Sequence, residues 1–439
     1  MVLPVPKNRI LVLAALCLIS RLVFLGVFSG PNYFEGISGS YLHVADNVIA
    51  GKGSVTRVNI APLTEPALMS DEPFIDRPLG YLLLILTPYT VIGEPIAVQV
   101  FQVLLSCLGV ILLYQVSRQL ISDRAAWWAA GAYAVWPLSA RFEIAILPDA
   151  VMSFFLLLSV WLFQKASRQS TPLLWSLMTG LVSGAAMTMR PDVLFVPLIF
   201  VAFIVATRIG ERKLHRSVLL LCGVTLILGL HTVRNHQATD GEIVPLGLGN
   251  GISLWEGISQ FGNIHGTVYG DERMARLEGY QSWAYPNGIE RDRRRFREAL
   301  AIIADNPVWY LGVMLRRIPV LLTPDWIMTN KYAPSLKQHL DESPEHSFGS
   351  YLASYPFASF IRGIVILLQY ATLVLALVWL RRGWTSGLWL PVLIIAYYFL
   401  IHIPTNAEAR YFYPAIPFVL LLSAHGWETF QRTRIFHAR

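Results

Sequence analysis

The side chains with chemical potential in this chain fall in a few short polar stretches. The richest runs from Pro31 to Tyr81 and holds Glu35, Asp46, Asp71, Glu72 and Asp76. It includes the glycine turn Gly51-Lys52-Gly53 and closes on Asp76-Arg77-Pro78-Leu79-Gly80-Tyr81. A carboxylate in such a loop can deprotonate or orient an attacking group. Glu35 stands out because it follows an apolar run closely and sits among aromatic residues. Further along come Pro148-Asp149, Arg190-Pro191-Asp192, Arg234-Asn235-His236 and Glu408-Ala409-Arg410-Tyr411. An arginine can stabilise the charge that grows on a departing phosphate. Plainer readings exist for each. Asp149 suits a helix N-terminus, Arg190-Pro191 a helix entry, and Arg410-Tyr411 an interfacial belt. The glycine-rich run 245–257 permits close backbone approach. It lacks the Lys-Ser/Thr of a phosphate loop and the strand–helix setting of a dinucleotide site.

The rest of the chain must hold these groups together, and its composition says in what medium. Of 439 residues, 54% are hydrophobic and only 14% charged, against about 25% charged in soluble domains. Mean hydropathy is +0.50. This is a polytopic membrane protein, and its polar loops must meet water or line a cavity. A crossing helix needs about 20 mostly apolar residues. Ten apolar runs qualify or nearly do: 10–28, 97–117, 125–140, 150–164, 171–189, 193–207, 217–233, 363–380, 383–401 and 411–424. The first follows Lys7 and Arg9 and reads as a retained anchor.

Lys and Arg in short loops set the orientation. With the positive clusters placed in the cytoplasm, ten crossings alternate, provided 79–92 and 309–322 lie on the outer face without crossing. The stretches 29–96, 141–149, 190–192, 234–357 and 402–410 then all face outside. Three regions follow: 1–233 with the external loop 29–96, an external region 234–357 with amphipathic helices, and the closing spans of 358–439. Within the external region, residues 290–305 form an amphipathic helix with Phe296, Ala299, Leu300 and Ile303 on one side. Arg291, Arg293, Arg294 and Arg297 on the other read as a solvated or headgroup-contacting face. The net charge of +7 fits positive loops and lipid headgroups, and is not read as nucleic-acid binding. Cys17, Cys107 and Cys222 all lie in apolar runs, so no disulfide framework or Cys/His zinc spacing is present.

Taken in order, these motifs resemble the polyprenyl-phosphate-dependent glycosyltransferases of the GT-C fold, in the bacterial branch related to protein O-mannosyltransferases and aminoarabinose transferases. An acid after the first span leads to Tyr41/Ala45 and Gly51/Gly53. Arg77–Tyr81, Pro148-Asp149, Arg190-Pro191, Arg234-Asn235, the run 246–257 and Arg410-Tyr411 with Pro414 and Pro417 follow. The family usually has Asp at the first acidic site, nearer the Tyr. Here Glu35 stands alone six residues before Tyr41, so either Glu35 or Asp46 is the counterpart.

The resemblance implies an all-α GT-C-like bundle of about ten transmembrane helices plus outer-face juxtamembrane helices. It implies sugar transfer, with inversion, from a polyprenyl-phosphate donor to a glycan, lipid or protein acceptor at the outer face of the cytoplasmic membrane. Glu35 is then the expected base and Asp149 an assisting acid or metal ligand. Arg190, Arg234 and Arg410 are phosphate ligands, with Asp46, Arg77, Asn235 and Tyr411 also on the substrate. A divalent cation is compatible with this pattern and not required by it. The rival class is a transporter or flippase of a lipid-linked substrate. Transporters place ionisable groups at mid-span, whereas the span centres here are almost uncharged, Arg21 excepted.

Overall fold

The computed structural model describes residues 7–28, 36–62, 64–168, 171–206, 212–261, 279, 287–324, 333–334, 336–380 and 386–437. Glu35, the expected base, lies outside them. Where described, the apolar runs are mostly helical. The N-terminal region contains α1 (Lys7–Phe28), α2 (Ile37–Ile49), α3 (Gly80–Ile92), α4 (Pro95–Arg118), α5 (Asp123–Ala134) and α6 (Pro137–Glu143). It continues through α7 (Asp149–Ala166), α8 (Pro172–Met189), α9 (Val196–Ala206) and α10 (Lys213–Ala238). Next come α11 (Asn250–Ser259), α12 (Asn287–Asp305), α13 (Pro307–Leu322), α14 (Leu336–Glu342) and α15 (Phe348–Ser354). The chain closes with α16 (Pro356–Leu380), α17 (Trp389–His402) and α18 (Ile416–His437).

Among the described residues, six helices have the length and hydropathy to cross a bilayer: α1, α4, α7, α8, α10 and α16. The expected count of ten therefore includes four runs below that standard. Two of these, α9 and α17, are short. A third, the run 125–140, is broken. Pro137 lacks an N–H and suits a first helical turn, so α5 ends at Ala134 and α6 starts afresh. The fourth, 411–424, opens as a 3-10 turn at Ala409–Ala415 before α18.

The one charge at a span centre proves to be paired. Arg21 is fully buried, and its Nε donates to Ser106 Oγ at 3.1 Å and Glu143 Oε2 at 2.8 Å. Its other nitrogens donate to the carbonyls of Tyr133 and Ala134. Glu143 also accepts from the hydroxyls of Tyr133 (2.6 Å), Tyr413 and Ser106. A buried ion pair survives in a low-dielectric interior only when its remaining donors and acceptors are met in this way. The network ties α1, α4, α5, α6 and the 409–415 turn into one block.

The loop between α2 and α3 also holds a two-stranded hairpin. Strands β1 (Val55–Asn59) and β2 (Met69–Pro73) pair antiparallel, with Arg57 opposite Asp71. Asp71 sits 4.0 Å from Arg57, and Glu72 accepts from Ser70 at 2.7 Å, so the hairpin accounts for both acids.

The amphipathic α12 is present but turned from the expected face. Phe296 and Leu300 are exposed, while Asp292 and Arg295 are buried beside Ala299. The reason is a cap. Asp292 Oδ1 accepts from the backbone N–H groups of Gly249, Gly251 and Ile252 at 3.0–3.2 Å, satisfying the otherwise orphaned donors at the start of α11.

Candidate active site

A cavity of about 300 Å³ opens where helix ends meet. Its walls include residues at or next to the first turns of α2, α3, α7 and α11, and the end of α8. The amides at α11 are occupied by Asp292, but the N-termini of α2, α3 and α7 have no side-chain cap. Each uncapped N-terminus carries roughly half a positive charge, and such ends bind anions. The charged lining is Asp76, Arg77, Asp149, Arg190 and Arg410, joined by Tyr411. Three arginines thus face two aspartates.

Asp149, the first residue of α7, is 3% exposed and accepts from Arg190 Nη1. Arg190 Nε lies 2.7 Å from Asp192, and its guanidinium stands 4.8 Å from the centre of the Tyr411 ring. Arg410 Nε lies 2.7 Å from Glu408, which also accepts from the Tyr411 hydroxyl at 3.1 Å. Arg190 and Arg410 are therefore held in place by carboxylates behind them.

Arg77 and Asp76 differ from these. Arg77 lies over Tyr41, which packs edge-on against Phe74 and Tyr81. Among the described residues, Arg77 Nη1 and Asp76 Oδ1 are buried with no hydrogen-bond partner. Buried polar atoms are almost always satisfied, and these two orphans share one cavity wall. Burial raises the Asp76 carboxyl above the usual carboxylate range, and Arg77 offsets part of that rise. Reasoning from sequence passed over Asp76 as one of several loop acids. The available signal was Pro78, which lies just ahead of α3 and restricts the backbone of Arg77 before it.

Three devices position this pair. Gly80 sits against α8, where an added Cβ would come within 2.6 Å of the Thr188 carbonyl oxygen. His231 on α10 accepts the Leu79 N–H on Nε2 at 3.1 Å, so its Nδ1–H donates to the Pro245 carbonyl at 3.1 Å. Arg234 donates from Nη1 to the Phe74 carbonyl at 3.0 Å and from Nη2 to Ser54. On the far side, Gly257 lets α11 approach the backbone of Thr405, where a Cβ would overlap the carbonyl.

Of the residues singled out from sequence, Arg77, Asp149, Arg190, Arg410 and Tyr411 come together in the cavity. Arg234 does not line it and holds the hairpin instead. Neither does Asn235, which donates to the Val244 carbonyl at 2.7 Å. Asp46 is exposed on α2 and accepts from the Tyr89 hydroxyl at 2.9 Å. Ile37, two residues beyond Glu35, lines the cavity. For a divalent cation the described lining offers Asp76 Oδ1 and the second carboxylate oxygen of Asp149, whose Oδ1 accepts from Arg190. One or two carboxylates together with substrate phosphate oxygens are what a magnesium ion usually takes.

Fold and site together define a multi-pass helical membrane protein with an arginine-lined cavity at the ends of its helices. Residues 76–233 match the sequence profile of the dolichyl-phosphate-mannose-protein mannosyltransferase family. That stretch opens on Asp76 and contains Arg77, Asp149 and Arg190. In fold, the chain is similar to the oligosaccharyltransferase of Archaeoglobus fulgidus. Against its apo form the identity is 12% and the TM-score 0.52, over 98% of this chain and 51% of that one. Against its complex with zinc and sulfate the values are 12% and 0.52, over 98% and 50%. ArnT from Cupriavidus metallidurans, bound to undecaprenyl phosphate, aligns at 12% identity and TM-score 0.40, over 98% and 79%. This chain spans about half the length of the oligosaccharyltransferase. No curated protein matches the sequence. The architecture is the GT-C fold that the ordered motifs implied.

Proposed function

We propose that this protein transfers a sugar from a polyprenyl-phosphate donor to an acceptor at the outer face of the cytoplasmic membrane. The observation that carries the reading is the cavity itself. Arg77, Arg190 and Arg410 meet uncapped helix N-termini there, beside Asp76, whose Oδ1 has no partner among the described residues. Arginine forks and helix N-termini suit the phosphate that leaves. Asp76, raised above the usual carboxylate range, suits proton abstraction from the acceptor at neutral pH. Glu35, two residues before Ile37 in the sequence, is the second acid proposed for that role. Asp149 keeps Arg190 oriented. Arg234, Asn235 and Asp46 act through positioning: two hold the hairpin and the 245 loop, and the third holds α3.

In this scheme the acceptor's nucleophilic atom attacks the anomeric carbon from the side opposite the phosphate. Its proton passes to the carboxylate, the carbon–oxygen bond to phosphate breaks with its electron pair, and the configuration inverts. The outer-face assignment is supported by the positive clusters, which place the loops carrying Asp76, Asp149, Arg190 and Arg410 on one side. The acceptor class is glycan, lipid or protein. The oligosaccharyltransferase relative has been captured tethered to an acceptor peptide.

The test is sugar transfer by purified full-length protein in lipid nanodiscs, offered polyprenyl-phosphate sugars and an envelope extract as acceptor. Transfer that is lost in Arg77→Ala, together with donor binding, supports the reading. Movement of the lipid-linked sugar between leaflets without any transfer would replace it with the transporter class.

A further inference from the structure

We propose that His402 is a positioning residue for Arg190 and takes up a proton when the donor phosphate binds. The inference rests on the transfer reading, which supplies the anion that Arg190 meets.

Arg190 lines the cavity, but two residues behind that wall decide how it is held. One is Asp192, in the turn Pro191–Val193 that follows α8. The Tyr397 hydroxyl donates to its carbonyl at 2.6 Å and fixes the turn. The other is His402, the last residue of α17. Its Nε2 lies 3.7 Å from Asp192 Oδ2, the oxygen that Arg190 Nε meets at 2.7 Å. Asp192 thus stands between a guanidinium and an imidazole. The imidazole is 6% exposed and stacks on Tyr411, with ring centroids 4.9 Å apart. Arg190 lies over that same ring. A change at His402 therefore reaches Arg190 through two contacts, the Asp192 carboxylate and the Tyr411 ring. Among the described residues, His402 Nε2 and both Asp192 oxygens are buried without an aligned hydrogen bond. At 3.7 Å the pair is beyond hydrogen-bond length. Protonation of the ring gives it a charge-assisted bond to close onto.

The charges say when that proton arrives. Arg190 carries one positive charge and meets two carboxylates, Asp149 and Asp192. Burial holds the His402 imidazole below its ordinary range, and Asp192 offsets part of that fall. Of the other charges facing the ring, Arg190 opposes a proton and Glu408 favours one. Glu408 is itself engaged by Arg410, and the rings of Tyr398 and Tyr411 add only phenols. A phosphodiester at Arg190 brings a third negative charge and draws the guanidinium toward the cavity. Asp192 is left less compensated, and a proton on His402 restores the balance from behind.

His402 then holds its proton more tightly with the donor bound than without it. By reciprocity, the donor binds more tightly once His402 is protonated. Donor affinity therefore rises as pH falls through the donor-bound value of His402, and levels off below the donor-free one. Between the two, one proton gives at most about a tenfold change per pH unit. A plainer reading exists, since a basic residue in a last helical turn meets the helix dipole. That reading links no proton to donor binding.

The test is calorimetry of full-length protein in lipid nanodiscs, with the methyl ester of a polyprenyl phosphate as probe. This diester keeps one negative charge throughout. All samples carry Asp76→Asn, which removes the raised carboxyl of the cavity itself. Binding heats near the ordinary histidine value of about pH 6.5, in two buffers of different ionisation enthalpy, count the protons exchanged. The parent should take up as much as one proton per probe, and His402→Gln should take up none. His402→Phe keeps the stack on Tyr411 and should also take up none, which guards against a Gln variant that fails to fold. At about pH 8, where a histidine is neutral, parent and variants should bind alike. Equal uptake in the parent and His402→Phe, or binding lost in both variants at the higher pH as well, overturns the inference and leaves the transfer reading standing. No binding of the probe by the parent overturns both.

Discussion

Gly80→Ala isolates the packing that brings Asp76 and Arg77 to Arg190. The new methyl would lie 2.6 Å from the Thr188 carbonyl oxygen and 2.7 Å from its carbon. Real Cβ contacts stay beyond 3.0 Å, so α3 and α8 must part by about 0.4 Å at the backbone, the difference between those distances. Thr188 Oγ1 can rotate away, but the carbonyl cannot. Overpacking of this kind costs roughly 1–3 kcal/mol. The larger effect is on function. Arg77 and Asp76 stand only three and four residues before Gly80, and Arg190 two after Thr188, so the displacement opens the cavity at its charged wall. A misplacement of about 1 Å can cost about 100-fold in rate. Transfer should therefore fall by about one to two orders of magnitude, while the protein still elutes as a folded monodisperse species. Adding Thr188→Ala, which removes Oγ1 and leaves the carbonyl, should restore nothing. Wild-type transfer in Gly80→Ala, or full rescue by Thr188→Ala, would refute the argument.

Three other outcomes are expected. Asp76→Asn should lower transfer by about 10²–10⁴-fold. Burial raises the Asp76 carboxyl, so the wild-type rate should fall as pH drops through a value above the ordinary carboxylate range, and the variant should lack that acid limb; an unchanged limb assigns it elsewhere. Arg21→Met strands Glu143 without its cation and should destabilise by about 3–5 kcal/mol. Arg21→Met with Glu143→Gln should recover most of that in a detergent melt, and no recovery would show that the pair's hydrogen bonds, rather than its charges, hold the block. Arg234→Ala should lower the melting temperature by the loss of bonds worth roughly 1–3 kcal/mol and leave donor affinity less affected than Arg77→Ala does; the reverse ranking would return Arg234 to the phosphate.

The membrane fold was readable because twenty-residue apolar runs have no other common use. Six of the ten runs form helices of crossing length and hydropathy, and Arg77, Asp149, Arg190 and Arg410 line one cavity, while Arg234 and Asp46 do not. What stayed hidden depended on contacts between segments far apart in sequence. Asp76 looked like Asp71 and Glu72 until the hairpin paired those two away, leaving it beside Arg77. Arg234 looked like a phosphate ligand because an arginine carries no sign of whether a carbonyl or an anion will meet it. The face of α12 was misjudged because Asp292 is needed by α11, a demand invisible in the helix's own periodicity.

The double grip of α10 has a consequence for the lipid around the protein. His231 and Arg234 hold the start of α3, the 245 loop and the hairpin from one helix end. The uncharged stretch of that helix, 217–233, spans about 25 Å at 1.5 Å per residue. A hydrocarbon core is about 30 Å thick. A stretch that short has no slack to absorb by tilting, so a thicker bilayer draws the helix ends inward or thins locally around them. Either response loads the end that holds the Asp76–Arg77 loop. Acyl-chain length is thereby coupled to the shape of the cavity, and the thickness of the host membrane becomes a variable that tunes this protein without touching any of its polar residues.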